Sequence, residues 1–135
     1  MKTLRLFTDG ASRGNPGDAG LGVSIEDDQG TKLDAKCKWL GTKTNNQAEY
    51  LALIAGLQAI STWKPDRLEI RLDSKLVVEQ IKGNWRVKEP ELRTLHEQAR
   101  KLLDGLGNWD IAHVDREQNK RADFLANKAI DEHIR

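Results

Sequence analysis

The run Thr3-Leu4-Arg5-Leu6-Phe7-Thr8 alternates polar and apolar positions and ends on Asp9, which predicts a strand near 3–9. Arg67-Leu68-Glu69-Ile70-Arg71-Leu72 repeats the alternation ahead of Asp73 and predicts a second near 67–73. Three further strands are expected near 20–27, 31–41 and 109–114. The period lengthens to that of a helix near 46–61, 74–82, 90–104 and 119–133. In the last of these, Ala122, Leu125, Ala126, Ala129 and Ile130 form an apolar stripe from which Phe124 departs. The turn residues Asp27-Asp28-Gln29-Gly30 join strands two and three, so the first three strands read as an antiparallel meander. The later strands each follow a helix and enter as parallel crossovers. The expectation is an α/β fold: one five-stranded mixed sheet, three antiparallel strands then parallel crossovers, flanked by helices, in a single domain over 1–135.

Four acids stand where these elements begin or end. Asp9 and Asp73 close two strands, and if those strands are parallel neighbours their carboxylates come side by side at the sheet edge where α/β folds bind ligands. Glu49 opens the first helix and shares its face with Leu53, Gly56 and Ile60. Asp123 repeats the pattern with Ala126, Ile130 and Ile134. An ionised acid on an inward stripe costs on the order of several kcal/mol unless it is paired or bound to metal. A single such acid reads as a cap or a surface ion pair; four together read as a metal site.

Composition sets bounds. Twenty-two Lys and Arg face twenty-one Asp and Glu, and setting aside the four clustered acids leaves a balance of +5. Any nucleic-acid footprint is therefore local rather than a global field. The single cysteine, Cys37, excludes an internal disulfide and fits a reducing compartment; with no apolar run of membrane length and no signal-peptide pattern, a cytoplasmic protein without membrane contact is expected. Trp39, Trp63 and Trp109 read as core or edge packing, and His96 and His133 as incidental residues on polar helix faces.

The segments Thr8-Asp9-Gly10-Ala11-Ser12-Arg13-Gly14-Asn15-Pro16-Gly17, Thr44-Asn45-Asn46-Gln47-Ala48-Glu49, Leu72-Asp73-Ser74 and Asn119-Lys120-Arg121-Ala122-Asp123, taken in order, resemble ribonuclease H of type 1 over essentially the whole chain. The resemblance implies endonucleolytic hydrolysis of the RNA strand of an RNA/DNA hybrid, leaving 5′-phosphate and 3′-hydroxyl ends. It implies two Mg²⁺ or Mn²⁺ ions held with substrate by Asp9, Glu49, Asp73 and Asp123. By the same resemblance, Ser12, Asn45, Gln47 and backbone near Gly10 and Gly14 contact RNA 2′-hydroxyls. Asn15 and Thr44 form a DNA-phosphate pocket, and Trp85 lies against the DNA strand. Gly10, Gly14 and Gly17 would permit tight turns and close approach of backbone to a sugar-phosphate chain.

Two departures from the family pattern stand out. Many relatives carry a helix and a basic handle between the third and fourth helices; here that segment is short, and only Lys82, Arg86, Lys88 and Arg93 remain, diluted by Glu89 and Glu91. The chain therefore resembles the compact subtype, for which weaker hybrid binding and a shallower salt dependence are expected. The histidine that relatives place ten residues before the last acid maps onto His113, but in a strand rather than a glycine-flanked loop; Arg116 is the alternative for assisting turnover.

Other readings compete. A hybrid or double-stranded RNA binding module has no use for four clustered negative charges. Among nucleases of the same fold aimed elsewhere, the 2′-hydroxyl contacts disfavour four-way DNA junctions and the self-sufficient chain disfavours a reverse-transcriptase-associated domain, while double-stranded RNA stays open as a substrate. A phosphate enzyme using the glycine-rich turn would need a helix directly after it, where Asp18-Ala19-Gly20-Leu21-Gly22 leads into a strand. A monomer is expected, since no exposed apolar stripe is evident.

Overall fold

The computed structural model describes residues 2–134. Strands β1 (Thr3–Gly14), β2 (Gly17–Asp27) and β3 (Lys32–Lys43) form an antiparallel meander. Helix α1 (Asn45–Trp63) leads to β4 (Arg67–Leu72), and α2 (Lys75–Lys82) and α3 (Pro90–Asp104) lead to β5 (Trp109–His113). A 3₁₀ turn, Arg116–Asn119, runs into α4 (Lys120–His133). The sheet order is β3-β2-β1-β4-β5, with β4 parallel to β1 and β5 parallel to β4, the mixed topology expected from the sequence.

The alternation of β1 assigns its two faces. Leu4, Leu6 and Thr8 are buried under α1, where Gly56 brings the helix against Leu6 and Thr8. The α1 stripe of Leu53, Gly56 and Ile60 is buried as predicted. Arg5, Phe7 and Asp9 point to the opposite face, which α4 covers over β1, β2 and β3. Beyond α4 that face carries charges instead of a helix. Arg5 pairs with Glu69 at 2.8 Å, Arg67 with Asp110 at 2.5 Å, and Arg71 also with Asp110.

Several boundaries and roles differ from expectation. Asp9 does not end its strand: β1 continues paired to β2 as far as Gly14↔Gly17, so the glycine-rich segment is a two-stranded arm with only Asn15-Pro16 at its tip. The parallel ladder with β4 does stop at Thr8↔Leu72, and this places Asp9 and Asp73 side by side. Ile134 lies past α4 and is exposed, off the stripe assigned to it, and Phe124 is exposed as well. His133 is not incidental, because its ring stacks on Trp39 of β3 with centroids 3.4 Å apart and planes 12° apart. His96 also has a packing role: its Nε2 lies 3.2 Å from the Gln80 carbonyl and its ring meets Tyr50 edge-on. Between α2 and α3 there is no further helix, only the segment from Gly83 to Glu89. No helix among the described residues is long and apolar enough to cross a membrane.

Candidate active site

Glycines let two helices close on Asp9 from opposite faces. A Cβ on Gly10 would lie 2.2 Å from the Ala48 carbonyl carbon and 2.4 Å from the Glu49 nitrogen, so the start of α1 rests directly on β1. On the other face, a Cβ on Gly22, the partner of Asp9 in the β1–β2 ladder, would lie 2.1 Å from the Ala122 oxygen. The N-terminal ends of α1 and α4, carrying Glu49 just past the first turn and Asp123 within it, are thereby drawn to the point where β1 leaves β4. The sequence suggested that Gly10 admits a substrate backbone; the backbone it admits is that of α1.

Carboxylate oxygens of Asp9, Glu49 and Asp73 all lie within 4.8 Å of one another. Glu49 is fixed by the Gly10 N–H, which donates to its Oε1 at 2.6 Å. Asp123 completes the group from α4, within hydrogen-bonding reach of Asp9. Burial, and then the charges of Glu49, Asp73 and Asp123, push the Asp9 carboxyl up to about 10. Burial, aided by repulsion from Asp73 and opposed by the Gly10 hydrogen bond, pushes Glu49 up to about 8. Without a cation Asp9 and Glu49 keep protons at neutral pH. A cation would let both ionise, and a set of carboxylate oxygens with no sulfur or imidazole among them suits a hard divalent ion. The residues present therefore fit the metal that the sequence implied.

The cleft over this cluster has a volume of about 510 Å³. Besides the four acids, its walls include Gly10, Ser12, Asn45, His113 and Arg116. Ser12 lies on the arm: its N–H donates to Asn45 Oδ1 at 3.2 Å and its hydroxyl to the Lys43 carbonyl at 2.8 Å. His113 is the last residue of β5, paired with Leu72 beside Asp73, and is exposed. Arg116 sits in the 3₁₀ turn with Nη2 3.7 Å from Asp123 Oδ1.

Five predicted substrate residues lie outside the cleft. Thr44 and Gln47 form a capping box at the start of α1, the Gln47 N–H donating to Thr44 Oγ1 at 3.1 Å and the Thr44 N–H to Gln47 Oε1 at 2.9 Å. Their polar side chains thus have a local use. Gly14 has φ +135° where the arm turns, and Asn15 Oδ1 accepts the Asn45 N–H at 3.1 Å. Trp85 lies on the α2–α3 segment, 44% exposed, with Lys75 Nζ 5.9 Å from its ring centroid. Four lining residues were not singled out from sequence: Ala11, Arg13, Asp115 and Asn127. Asn127 could have been found, because it lies four residues after Asp123 on the same helix face.

An open α/β sheet whose parallel edge gathers a carboxylate cluster suited to divalent metal defines the class of metal-dependent hydrolases. A family profile described as reverse transcriptase-like matches residues 7–129. The chain is 46% identical over 129 residues to ribonuclease HI of Halobacterium salinarum, covering 96% of this chain and 65% of that protein. It is 34% identical to ribonuclease H of Hydrogenovibrio crunogenus, with 98% of each covered. LC11-RNase H1, isolated from compost by a metagenomic approach, superposes with a TM-score of 0.94 at 38% identity over the full length of both chains. LC11-RNase H1 is also known in complex with an RNA/DNA hybrid, and that structure superposes with a TM-score of 0.93 at 38% identity, covering 98% of this chain and 99% of the other. The chain belongs to the ribonuclease H family, in its type 1 form without a basic handle.

Proposed function

We propose that the chain cleaves the RNA strand of RNA/DNA hybrids endonucleolytically, leaving 5′-phosphate and 3′-hydroxyl ends. The observation that carries this reading is the convergence of Asp9, Glu49 and Asp73 within 4.8 Å, with Asp123 against Asp9. Mg²⁺ or Mn²⁺, two ions per site with substrate, would supply the Lewis acidity that activates water and neutralises the leaving oxygen.

This chain's residues hold that site open and orient the strand. Asp9 and Asp73 extend from adjacent parallel strands as a fixed pair. The Gly10 N–H holds Glu49 against them, and Asp123 closes the group from α4. Ser12 and Asn45, bonded to each other across the arm and the start of α1, face the cleft where a 2′-hydroxyl can both donate and accept. Asn15 and Thr44 offer neutral phosphate contacts and Trp85 an exposed ring for the DNA strand, which favours binding without sequence preference. We further propose that the protein acts as a monomer.

The test is incubation of wild type and Asp9→Asn with labelled RNA/DNA hybrid, single-stranded RNA and double-stranded DNA, in Mg²⁺, in Mn²⁺ and in chelator. Metal-dependent cutting of only the hybrid's RNA strand, absent in the variant, is the expected result. Binding without cutting in either metal would move the chain to a non-catalytic class, and full activity of Asp9→Asn would refute the site.

A further inference from the structure

Asp123, Asn127 and Asp131 recur every four residues of α4 and share one helix face. Arg13 crosses to this face from the arm of β1. Its Nη1 pairs with Asp131 Oδ1 at 2.6 Å and its Nη2 donates to Asn127 Oδ1 at 3.2 Å. A guanidinium only donates, so the oxygen of the Asn127 amide must face Arg13 and its NH₂ must face the other way. There the NH₂ donates to the Asp123 carbonyl at 3.0 Å and lies 3.4 Å from Asp123 Oδ1. Arg116 Nη2 approaches the same Oδ1 at 3.7 Å. Oδ1 is thus engaged from two sides, which restrains rotation of the carboxylate.

Resting on the ribonuclease H reading, we propose that Asn127 is a positioning residue for Asp123 and that Arg13, anchored by Asp131, sets its orientation. The relay ties the arm that carries Ser12 to the fourth acid, so arm placement and acid geometry are coupled. Hydrogen-bonded partners behind metal-ligating groups typically govern about 10- to 100-fold in metal affinity. Asn127 and Arg13 have the geometry for such a role without touching the reacting atoms.

The experiment compares wild type, Asn127→Leu, Arg13→Met and the double variant in three ways. Mn²⁺ affinity of the hybrid-free protein is measured by calorimetry, the Mg²⁺ midpoint, kcat and KM by hybrid cleavage, and the melting temperature in chelator. Asn127→Leu should weaken Mn²⁺ binding and raise the Mg²⁺ midpoint by about tenfold. It should lower kcat while KM for hybrid stays within about twofold, because the lost interaction orients an acid rather than holding substrate. Arg13→Met should shift the same quantities in the same direction by less, and the double variant should be no worse than Asn127→Leu alone. Unchanged metal affinity and midpoint in both variants, or a raised KM with a shallower salt slope in Arg13→Met, would overturn the proposal, the latter making Arg13 a phosphate contact. Should Asn127→Leu fail to fold, Arg13→Met alone still decides. If the wild type cuts no hybrid, the proposed function fails while the calorimetry still reads the relay.

Discussion

Gly10 donates its backbone N–H to Glu49 Oε1 at 2.6 Å, while the space its missing Cβ would occupy is filled by the backbone of Ala48 and Glu49. One residue thus sets both the approach of α1 to β1 and the aim of the acid at its start. A methyl group there meets backbone at 2.2 Å, which no rotamer change relieves. Gly10→Ala should therefore cost about 1–3 kcal/mol or more of stability, as overpacking does, and should move Glu49 away from Asp9. Urea unfolding and hybrid cleavage check this, with an activity loss of about tenfold or more expected for displaced catalytic geometry. Gly107→Ala is the control, since nothing lies within 4 Å of its Cβ position. Equal behaviour of the two variants would show that α1 yields.

The raised carboxyls of Asp9 and Glu49 make the metal-free protein sensitive to alkali. Both bind their proton more tightly in the fold than in the unfolded chain, whose carboxyls titrate near about 4. The stability they contribute is complete below that pH and is lost as pH rises towards about 8 for Glu49 and about 10 for Asp9. In chelator, the melting temperature should fall across this window. Saturating Mg²⁺ should flatten the profile, because a cation replaces the protons. Asp9→Asn should also flatten it and melt higher than wild type near pH 8, while cleaving nothing. A chelator profile that rises over the same range would contradict the assignment of these two groups.

Much of this architecture was legible because it depends on local period. Alternation located β1 and β4, helical spacing located α1 and α4, and the hairpin residues at Asp27-Asp28-Gln29-Gly30 fixed the meander. The acids could be grouped because parallel strands of equal phase bring their ends together, as the Thr8↔Leu72 pair does. What was not legible depends on contacts distant in sequence. Gly10 through Gly17 has the composition of a loop, yet β2 pairs along it and holds it extended. The closeness of α4 to Gly22 and the reach of Arg13 to Asn127 and Asp131 involve partners about a hundred residues away. The stack of His133 on Trp39 exists only because the end of α4 lands on the edge strand.

Trp85 and Lys75 should separate by salt. The exposed ring offers stacking, worth about 1–3 kcal/mol when removed and nearly indifferent to ionic strength. The ammonium 5.9 Å from its centroid offers a phosphate contact, worth roughly 0.9 in the log–log salt slope on a duplex. In fluorescence anisotropy with labelled hybrid in chelator, Trp85→Ala should weaken binding at every salt concentration with the slope unchanged. Lys75→Met should lower the slope by about one contact. With only Gly83 to Glu89 between α2 and α3, the wild-type slope itself should be shallower than that of handle-bearing relatives. An equal slope would mean that phosphate contacts elsewhere replace the handle.

His113 and Arg116 occupy the same rim of the cleft, but their surroundings differ. His113 is paired through its backbone to Leu72, and Val114 continues the ladder by donating to the Leu72 carbonyl at 2.8 Å, so the ring can swing only about its own side-chain bonds. Arg116 lies in a 3₁₀ turn, 79% exposed, with its guanidinium already 3.7 Å from Asp123. A permanent cation there can contact a phosphate oxygen at any pH, whereas a histidine assists proton transfer only while it can change charge. Arg116→Ala should therefore lower kcat by about tenfold without altering the shape of the pH–rate profile, as loss of a charge-stabilising contact does. His113→Ala should leave turnover nearly intact. If His113→Ala instead lowers kcat and removes a limb of the profile, the histidine is the proton-transfer group and Arg116 only shields Asp123.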